Sequence, residues 1–136
     1  MDSISFPYEN KSSPIFKIIK RPVAKVKLFS LKRKRWFEYS MIVDTGADYT
    51  VFPFSVAGDL SIDIEKECNQ YFTRGIGGSE KVFISKKKIP VKIGDYQLKI
   101  SLGFLERDDI PPLLGRQECL DVLDVIFSHF TTTFKK

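Results

Sequence analysis

Residues 42–47 read Ile42-Val43-Asp44-Thr45-Gly46-Ala47, an aspartate set on a Thr-Gly turn at the end of an apolar run, and this occurs once in 136 residues. The residues before it fix how it is presented. Trp36 to Val43 alternates, with Phe37, Tyr39, Met41 and Val43 on one face, which is the period of a half-buried β-strand. A strand that ends on Asp-Thr-Gly carries a carboxylate to the end of a sheet, on a turn that glycine makes tight. Taken alone, the tripeptide reads more readily as an ordinary β-turn capped by aspartate, so its meaning depends on what surrounds it.

Upstream, Ile15 to Ile19 and Val23 to Leu31 read as strands, with Ala24, Val26 and Leu28 alternating against Lys25 and Lys27. Lys32-Arg33-Lys34-Arg35 forms the turn before Trp36. Met1 to Pro14 is polar, broken by Pro7 and Pro14, and is expected to be an arm preceding one domain over residues 15–136. Downstream, Val51 to Phe54 is a short apolar segment halted by Pro53. Asn69 to Arg74 and Lys81 to Ser85 flank Gly75-Ile76-Gly77-Gly78, a hairpin whose glycines let its backbone approach a ligand closely. Lys88 to Ile93 and Tyr96 to Leu105 pair around Gly94-Asp95, a two-residue hairpin signal. Arg107 to Pro112 is a loop stiffened by Pro111 and Pro112, and Leu113-Leu114-Gly115 is a brief buried strand. Arg116 to Leu123 carries a short helical pattern with Leu120 and Leu123 on one side, and Asp124 to Phe134 is again strand-like. The chain is therefore predicted to be all-β.

At 43% hydrophobic and 29% charged residues, the chain can bury one core and is not expected to be disordered. No apolar stretch approaches the roughly 20 residues that a membrane-spanning helix needs. Met1-Asp2-Ser3-Ile4-Ser5 has neither a basic nor an apolar leader character, so a reduced, cytoplasmic protein is expected. Cys68 and Cys119 are too few for a disulfide framework and read as buried small apolar residues. With a single histidine, His129, no metal site and no serine-type triad is expected.

The net charge is +5, and no acidic residue lies between Glu9 and Glu38. That gap holds Lys17, Lys20, Arg21, Lys25, Lys27 and the 32–35 cluster. One reading is a patch for nucleic acid or an acidic partner. The favoured reading is a solvated hairpin tip whose lysines discourage edge-to-edge strand pairing, so a nucleic-acid partner is not expected from it.

Three features stand in fixed order: Asp44-Thr45-Gly46-Ala47-Asp48, Gly75-Ile76-Gly77-Gly78, and Leu113-Leu114-Gly115-Arg116. That order resembles the retropepsins, the single-domain aspartic proteases typified by retroviral protease, over about Lys20 to Leu123. Arg21-Pro22-Val23 is similar to the segment that opens the retroviral domain. The resemblance implies an all-β closed barrel with a flap hairpin and one short C-terminal helix, acting as a homodimer because one chain supplies one aspartate. It implies an aspartic endopeptidase without metal or organic cofactor. Asp44, Thr45 and Gly46 would be catalytic, with Thr45 bracing the two active-site loops across the dimer axis. Substrate would be held by Ala47, Asp48, Val51, Gly75, Ile76, Gly77, Gly78, Ile110, Pro111 and Leu113. Arg116 would pair with Asp48 in its own chain, and Arg21 with Asp48 of the second copy. The substrate is expected to be an extended peptide with apolar or aromatic residues near the scissile bond.

Several residues depart from that pattern. The Val23 to Val43 hairpin is longer and more basic than in a compact retroviral protease, Tyr49 is bulkier than a typical polar neighbour, and residues 124–136 extend beyond it. The alternative function is a catalytically silent retropepsin-like dimer that binds peptides or proteins without cutting them.

Overall fold

The computed structural model describes residues 3–75 and 78–136. The alternation that leads to Asp44 builds the central hairpin. There β4 (Val23–Ser30) and β5 (Arg35–Val43) pair antiparallel from Val23↔Ile42 to Ser30↔Arg35. Ala24, Val26, Leu28 and Met41 are fully buried, while Lys25 and Lys27 on the other face are exposed. The turn closes with the Lys34 amide donating to Ser30 O at 2.9 Å, Lys34 itself being left-handed at φ 57°. The buried Ser30 hydroxyl donates to Leu60 O at 2.7 Å and accepts from the Arg33 amide at 3.1 Å, so both of its roles are satisfied.

Around this hairpin lie β6 (Thr50–Phe52), β7 (Cys68–Gly75), β8 (Gly78–Ser85), β9 (Ile89–Ile93), β10 (Tyr96–Ile100), β11 (Leu102–Leu105) and β12 (Leu113–Leu114). They form one nine-stranded sheet in the order β10-β9-β4-β5-β12-β6-β11-β8-β7. The expected closed barrel is not found: among the described residues β10 and β7 are the two ends of the sheet and do not pair. The cause lies at Ser101. Its amide donates to Glu118 Oε1 at 2.9 Å and the Leu102 amide to Ser85 Oγ at 3.0 Å, which ends β10 and sends the chain across to pair with β6 and β8. The single strand expected over 96–105 is therefore two. Phe52, Phe104, Leu28, Ile93, Ile100, Leu102 and Leu114, all under 2% exposed, form the core this curved sheet encloses.

The residues expected to form an N-terminal arm are divided. β1 (Ser3–Pro7) joins β14 (Thr131–Lys135), which pairs in turn with β13 (Asp124–Ser128) in a separate three-stranded sheet. Ile4 and Phe6 pack against the core beside Phe134. Two alternating apolar side chains among polar neighbours are too short a pattern to read. Among the described residues, β2 (Glu9–Ser13) and β3 (Lys17–Arg21) instead form a hairpin paired to no other strand, and Ile15, Phe16 and Ile18 are exposed at 79%, 72% and 61%. The run Asp124 to Phe134, read as one strand, reverses at His129 and Phe130. Both are left-handed, as a tight two-residue hairpin requires, and neither belongs to the glycine or asparagine class that signals one.

The expected C-terminal helix over 116–123 is replaced by a turn and a single 3-10 turn at Leu120–Val122, because Glu118 adopts φ 63°. Leu120 and Leu123 are nonetheless buried. Two short helices, α1 (Ser55–Asp59) and α2 (Ile64–Glu67), connect β6 to β7 where no element was read. Among the described residues no helix is long and apolar enough to cross a membrane. Both cysteines are buried, and burial pushes their thiols up to about 11 (Cys68) and about 12 (Cys119), away from nucleophilic thiolate.

Glu118 ties the β10–β11 break to the turn after Gly115. Burial alone would raise its carboxyl, but Lys88 Nζ at 2.6 Å and the Ser101 amide hold it below the usual range. A folded-state value below the unfolded one gives stabilisation that is complete above the unfolded value of about 4.3. It is lost as pH falls through the folded value. Urea midpoints of the wild type are therefore expected to fall more steeply below about pH 4 than those of Glu118→Gln. Parallel acid limbs would remove this carboxylate from the account of acid stability.

Candidate active site

β5 ends at Val43 and hands Asp44 to a loop that runs to β6. The Asp44 amide donates to Leu114 O at 3.0 Å, and the Ala47 amide returns to Asp44 O at 3.1 Å to close the turn. The half-buried Asp44 carboxylate accepts at Oδ1 from the Gly46 amide at 2.9 Å. A side chain on Gly46 would bring its Cβ within 3.2 Å of that oxygen, so glycine keeps the carboxylate uncrowded. Thr45 and Gly46 are exposed at the tip, open to whatever faces the loop.

The rest of the loop is laced to residues 114–117. The Arg116 amide donates to Ala47 O at 3.0 Å, the Gln117 amide to Asp48 O at 2.9 Å, and the Gly115 amide to the Thr50 hydroxyl at 3.2 Å. Arg116 Nη2 donates to Asp48 Oδ1 at 2.5 Å, as expected within one chain. Both side chains of that pair are largely exposed, at 45% and 73%, so the backbone bonds carry most of the bracing. Gly115 is the point of closest approach: a Cβ there would lie 2.2 Å from Tyr49 O. On the upstream side the Val43 amide donates to Pro22 O at 3.0 Å and the Ile42 amide to Pro112 O at 3.0 Å. A carboxylate held this way is presented on a rigid backbone, the arrangement that positioned acid–base chemistry requires.

The other expected substrate residues fall into three groups. Leu113 of β12 flanks the end of β5, to which β12 runs parallel, and Val51, buried in β6, stands opposite Leu113 one strand further out. Half-buried Ile110 and exposed Pro111 lie in the preceding loop. Pro111 lines a shallow groove of about 200 Å³ with Arg21, Val23 and Ile42. Arg21 stands opposite Glu9 in the β2–β3 hairpin, not beside Asp48 of its own chain. Gly75 and Gly78 close the β7–β8 hairpin as a facing pair, Gly78 at φ 109°; Ile76 and Gly77 lie outside the described residues. Near its tip that hairpin is held by Arg107, which donates from Nη2 to Asp109 at 2.6 Å and reaches Glu80 of β8 at 3.3 Å. The guanidinium beside it holds the Asp109 carboxyl below the usual range.

A cleft of about 450 Å³ separates this hairpin from the Asp44 loop, lined by Tyr49, Tyr71, Phe72, Ile84 and Gln117 among others. Tyr71 and Phe72 are 52% and 69% exposed, and sequence reasoning gave them no role. The signal was there in part, because two adjacent aromatics on a glycine-tipped hairpin have no intrachain core to fill. A smaller apolar pocket of about 170 Å³ lies at the far end of β5, beside Leu31, Leu60 and Ile62. Among the described residues no group of three histidine, cysteine or acidic side chains gathers as a metal site.

Among solved structures, the chain is similar to the crystal structure of a retropepsin-like aspartic protease from Rickettsia conorii. The two share 16% sequence identity, a TM-score of 0.68, and coverage of 98% of each chain. No protein-family model and no curated protein matches the sequence. The structural likeness establishes that this chain has the retropepsin-like fold.

Proposed function

We propose that the protein is an aspartic endopeptidase active as a homodimer, in which Asp44 from each of two copies forms the catalytic pair. The observation that carries this reading is the Asp44 carboxylate, set on a backbone braced by residues 114–117, in a chain of retropepsin-like fold. Hydrolysing an amide without a metal or covalent intermediate needs a base to take a proton from water and an acid to protonate the departing nitrogen. Two carboxylates a few ångström apart do not both ionise readily, so they share one proton and titrate as a pair. The ionised partner accepts the water proton as oxygen attacks the carbonyl. The protonated partner supplies the proton that the amine carries away when the C–N bond breaks. One chain holds one such aspartate, so the reaction requires the second copy.

In this reading Thr45 braces the paired loops, and Gly46, Ala47 and Asp48 hold the substrate backbone. The peptide lies extended between the β7–β8 hairpin and the Asp44 loop, as an added strand. Val51, Ile110, Pro111 and Leu113 provide apolar contacts for its side chains, Tyr71 and Phe72 flank the entrance, and the Gly75–Gly78 tip closes over the peptide to exclude water.

Cleavage of a diverse peptide mixture from pH 4 to 7, with the enzyme concentration varied, tests the proposal. Turnover per chain is expected to rise with concentration and then level off as dimers saturate. A protein that is folded and dimeric by sedimentation, yet cuts nothing across that range, would leave the peptide-binding dimer as the better reading.

A further inference from the structure

The outer face of the sheet far from Asp44 brings together residues that lie apart in the sequence. Side chains alternating with the buried ones on β4, β5, β9 and β10 point away from the core. Across these strands Trp36 stands opposite Phe29, Lys27 opposite both Glu38 and Lys92, Lys92 opposite Gln97, and Lys25 opposite Ser40; Pro90 opposite Lys99 completes the face. Lys25, Lys27 and Lys99 are exposed, and Lys92 is half-buried with its Nζ 4.5 Å from the centre of the Trp36 ring. The Trp36 and Phe29 rings lie 5.1 Å apart. Among the described residues none of these four lysines has a carboxylate within ion-pair distance, and Glu38 is the one acidic residue among the paired positions of the face. The 32–35 turn leans to the other side of the hairpin: Lys32 bonds to Glu67, Arg33 to Ser61, and Arg33 and Arg35 lie over the ring of Phe37, which packs on the core.

We propose that this face binds single-stranded nucleic acid. The 32–35 tip alone gave no such argument, because an isolated run of cations on a turn is ordinary solvated surface. Two other features of the face carry the proposal. Lys92 and Lys99, remote in sequence, converge on the same face as Lys25 and Lys27. In addition, a pair of aromatic rings stands on that face instead of in the core. Cations spaced across a sheet hold a phosphate backbone, and half-exposed rings beside them give unpaired bases a surface on which to stack. Among the described residues no helix stands on the sheet face to enter a duplex groove, and stacking on exposed rings is open to unpaired bases and not to paired ones, so unpaired bases are the form it fits. This site is independent of the peptidase reading, since Trp36 and Asp44 lie at opposite ends of β5.

Trp36 is the single tryptophan, so its fluorescence reports directly from the proposed site. Titration with an oligothymidylate of about twenty nucleotides, enough for several contacts, is expected to quench it saturably. The logarithm of affinity should fall with the logarithm of salt at a slope of about −2 to −3, for three to four phosphate contacts. The double variant Lys27→Glu/Lys92→Glu, confirmed as folded by circular dichroism, should bind at least about tenfold more weakly. Its peptide cleavage should be unchanged. Trp36→Ala, followed by anisotropy of a labelled oligonucleotide, should weaken binding roughly tenfold through lost stacking. Absence of quenching at low salt, or equal affinity in the charge-reversed variant, overturns the proposal. Polyglutamate or anionic vesicles that bind as tightly as the oligonucleotide, with no effect of Trp36→Ala, would also overturn it and assign the face to acidic proteins or membranes.

Discussion

Replacing Asp44 by asparagine is expected to abolish peptide hydrolysis and leave the fold unchanged. Asparagine keeps the shape of the side chain, and its carbonyl oxygen can still accept the Gly46 amide that now donates to Oδ1 at 2.9 Å. No intrachain ion pair is lost, because Asp44 makes none among the described residues. What disappears is the ability to take and return a proton, and it disappears from both copies at once. A loss of at least about 10²–10⁴-fold in kcat follows from removing a positioned acid–base group. Mixtures of wild type and variant sharpen the test. If one aspartate from each chain is needed and subunits exchange freely, an equal mixture retains about one quarter of the activity. Activity that falls in simple proportion to the wild-type share would show that a single chain suffices, and the shared-pair mechanism would be wrong.

The largest effect on stability is expected at Gly115. Its Cα hydrogen faces the backbone of Tyr49 so closely that an added methyl would sit 2.2 Å from Tyr49 O and 2.3 Å from its carbonyl carbon. Neither atom belongs to a flexible side chain, so the loop between Asp44 and Thr50 has to move. That movement breaks bonds from Arg116 and Gln117 to the loop carbonyls as well as the Thr50 contact. Gly115→Ala should therefore cost about 3 kcal/mol, the upper end for overpacking a buried site. For a domain of this size that is a fall of roughly 10 °C in Tm. Gly58 makes the control. A Cβ there meets nothing within 4 Å, and the residue lies in α1. Gly58→Ala should accordingly raise stability by roughly 0.5–1 kcal/mol. Two glycine-to-alanine changes of opposite sign, read in the same urea titration, separate a packing constraint from a general intolerance of alanine. Similar effects at both positions would contradict the account of Gly115.

The parts of the fold that were legible in the sequence are those with a strict period and a strong turn signal. Ala24, Val26 and Leu28 against Lys25 and Lys27 fixed β4 and its exposed face. Gly94 at φ 59° is the left-handed residue that the 94–95 hairpin signal demands. The three blocks that define the candidate site were legible because each pairs a polar or glycine residue with an apolar run. The contacts of Asp44 with Leu114, and of Asp48 with Arg116, join two of those blocks. What the sequence hid was governed by tertiary partners. Ile4 and Phe6 make a strand only because β14 is there to pair with them. Glu118, His129 and Phe130 take left-handed conformations that no glycine announces, so a helix was read across the first and a single strand across the others. Ser101 breaks β10 because Glu118 and Ser85 capture the backbone amides at that point, a cause 17 residues away in either direction. The barrel expected to close is left open by that same crossing.

The β2–β3 hairpin behaves as a mechanical unit of its own. Among the described residues its strands pair only with each other, with the Glu9 carboxylate accepting from the Ser40 hydroxyl of β5 at 3.1 Å, and a two-stranded ribbon alone in water is at best marginally stable. Its amides should therefore exchange with solvent on a timescale set by what lies against the hairpin, while those of β4 and β5 exchange only on global opening. The chain leaves β3 through Pro22, whose carbonyl takes the Val43 amide one residue before Asp44. The hairpin thus hangs from the strand that presents Asp44, and a fall in its exchange rate with rising protein concentration would report a second copy packing on it, without any substrate being turned over.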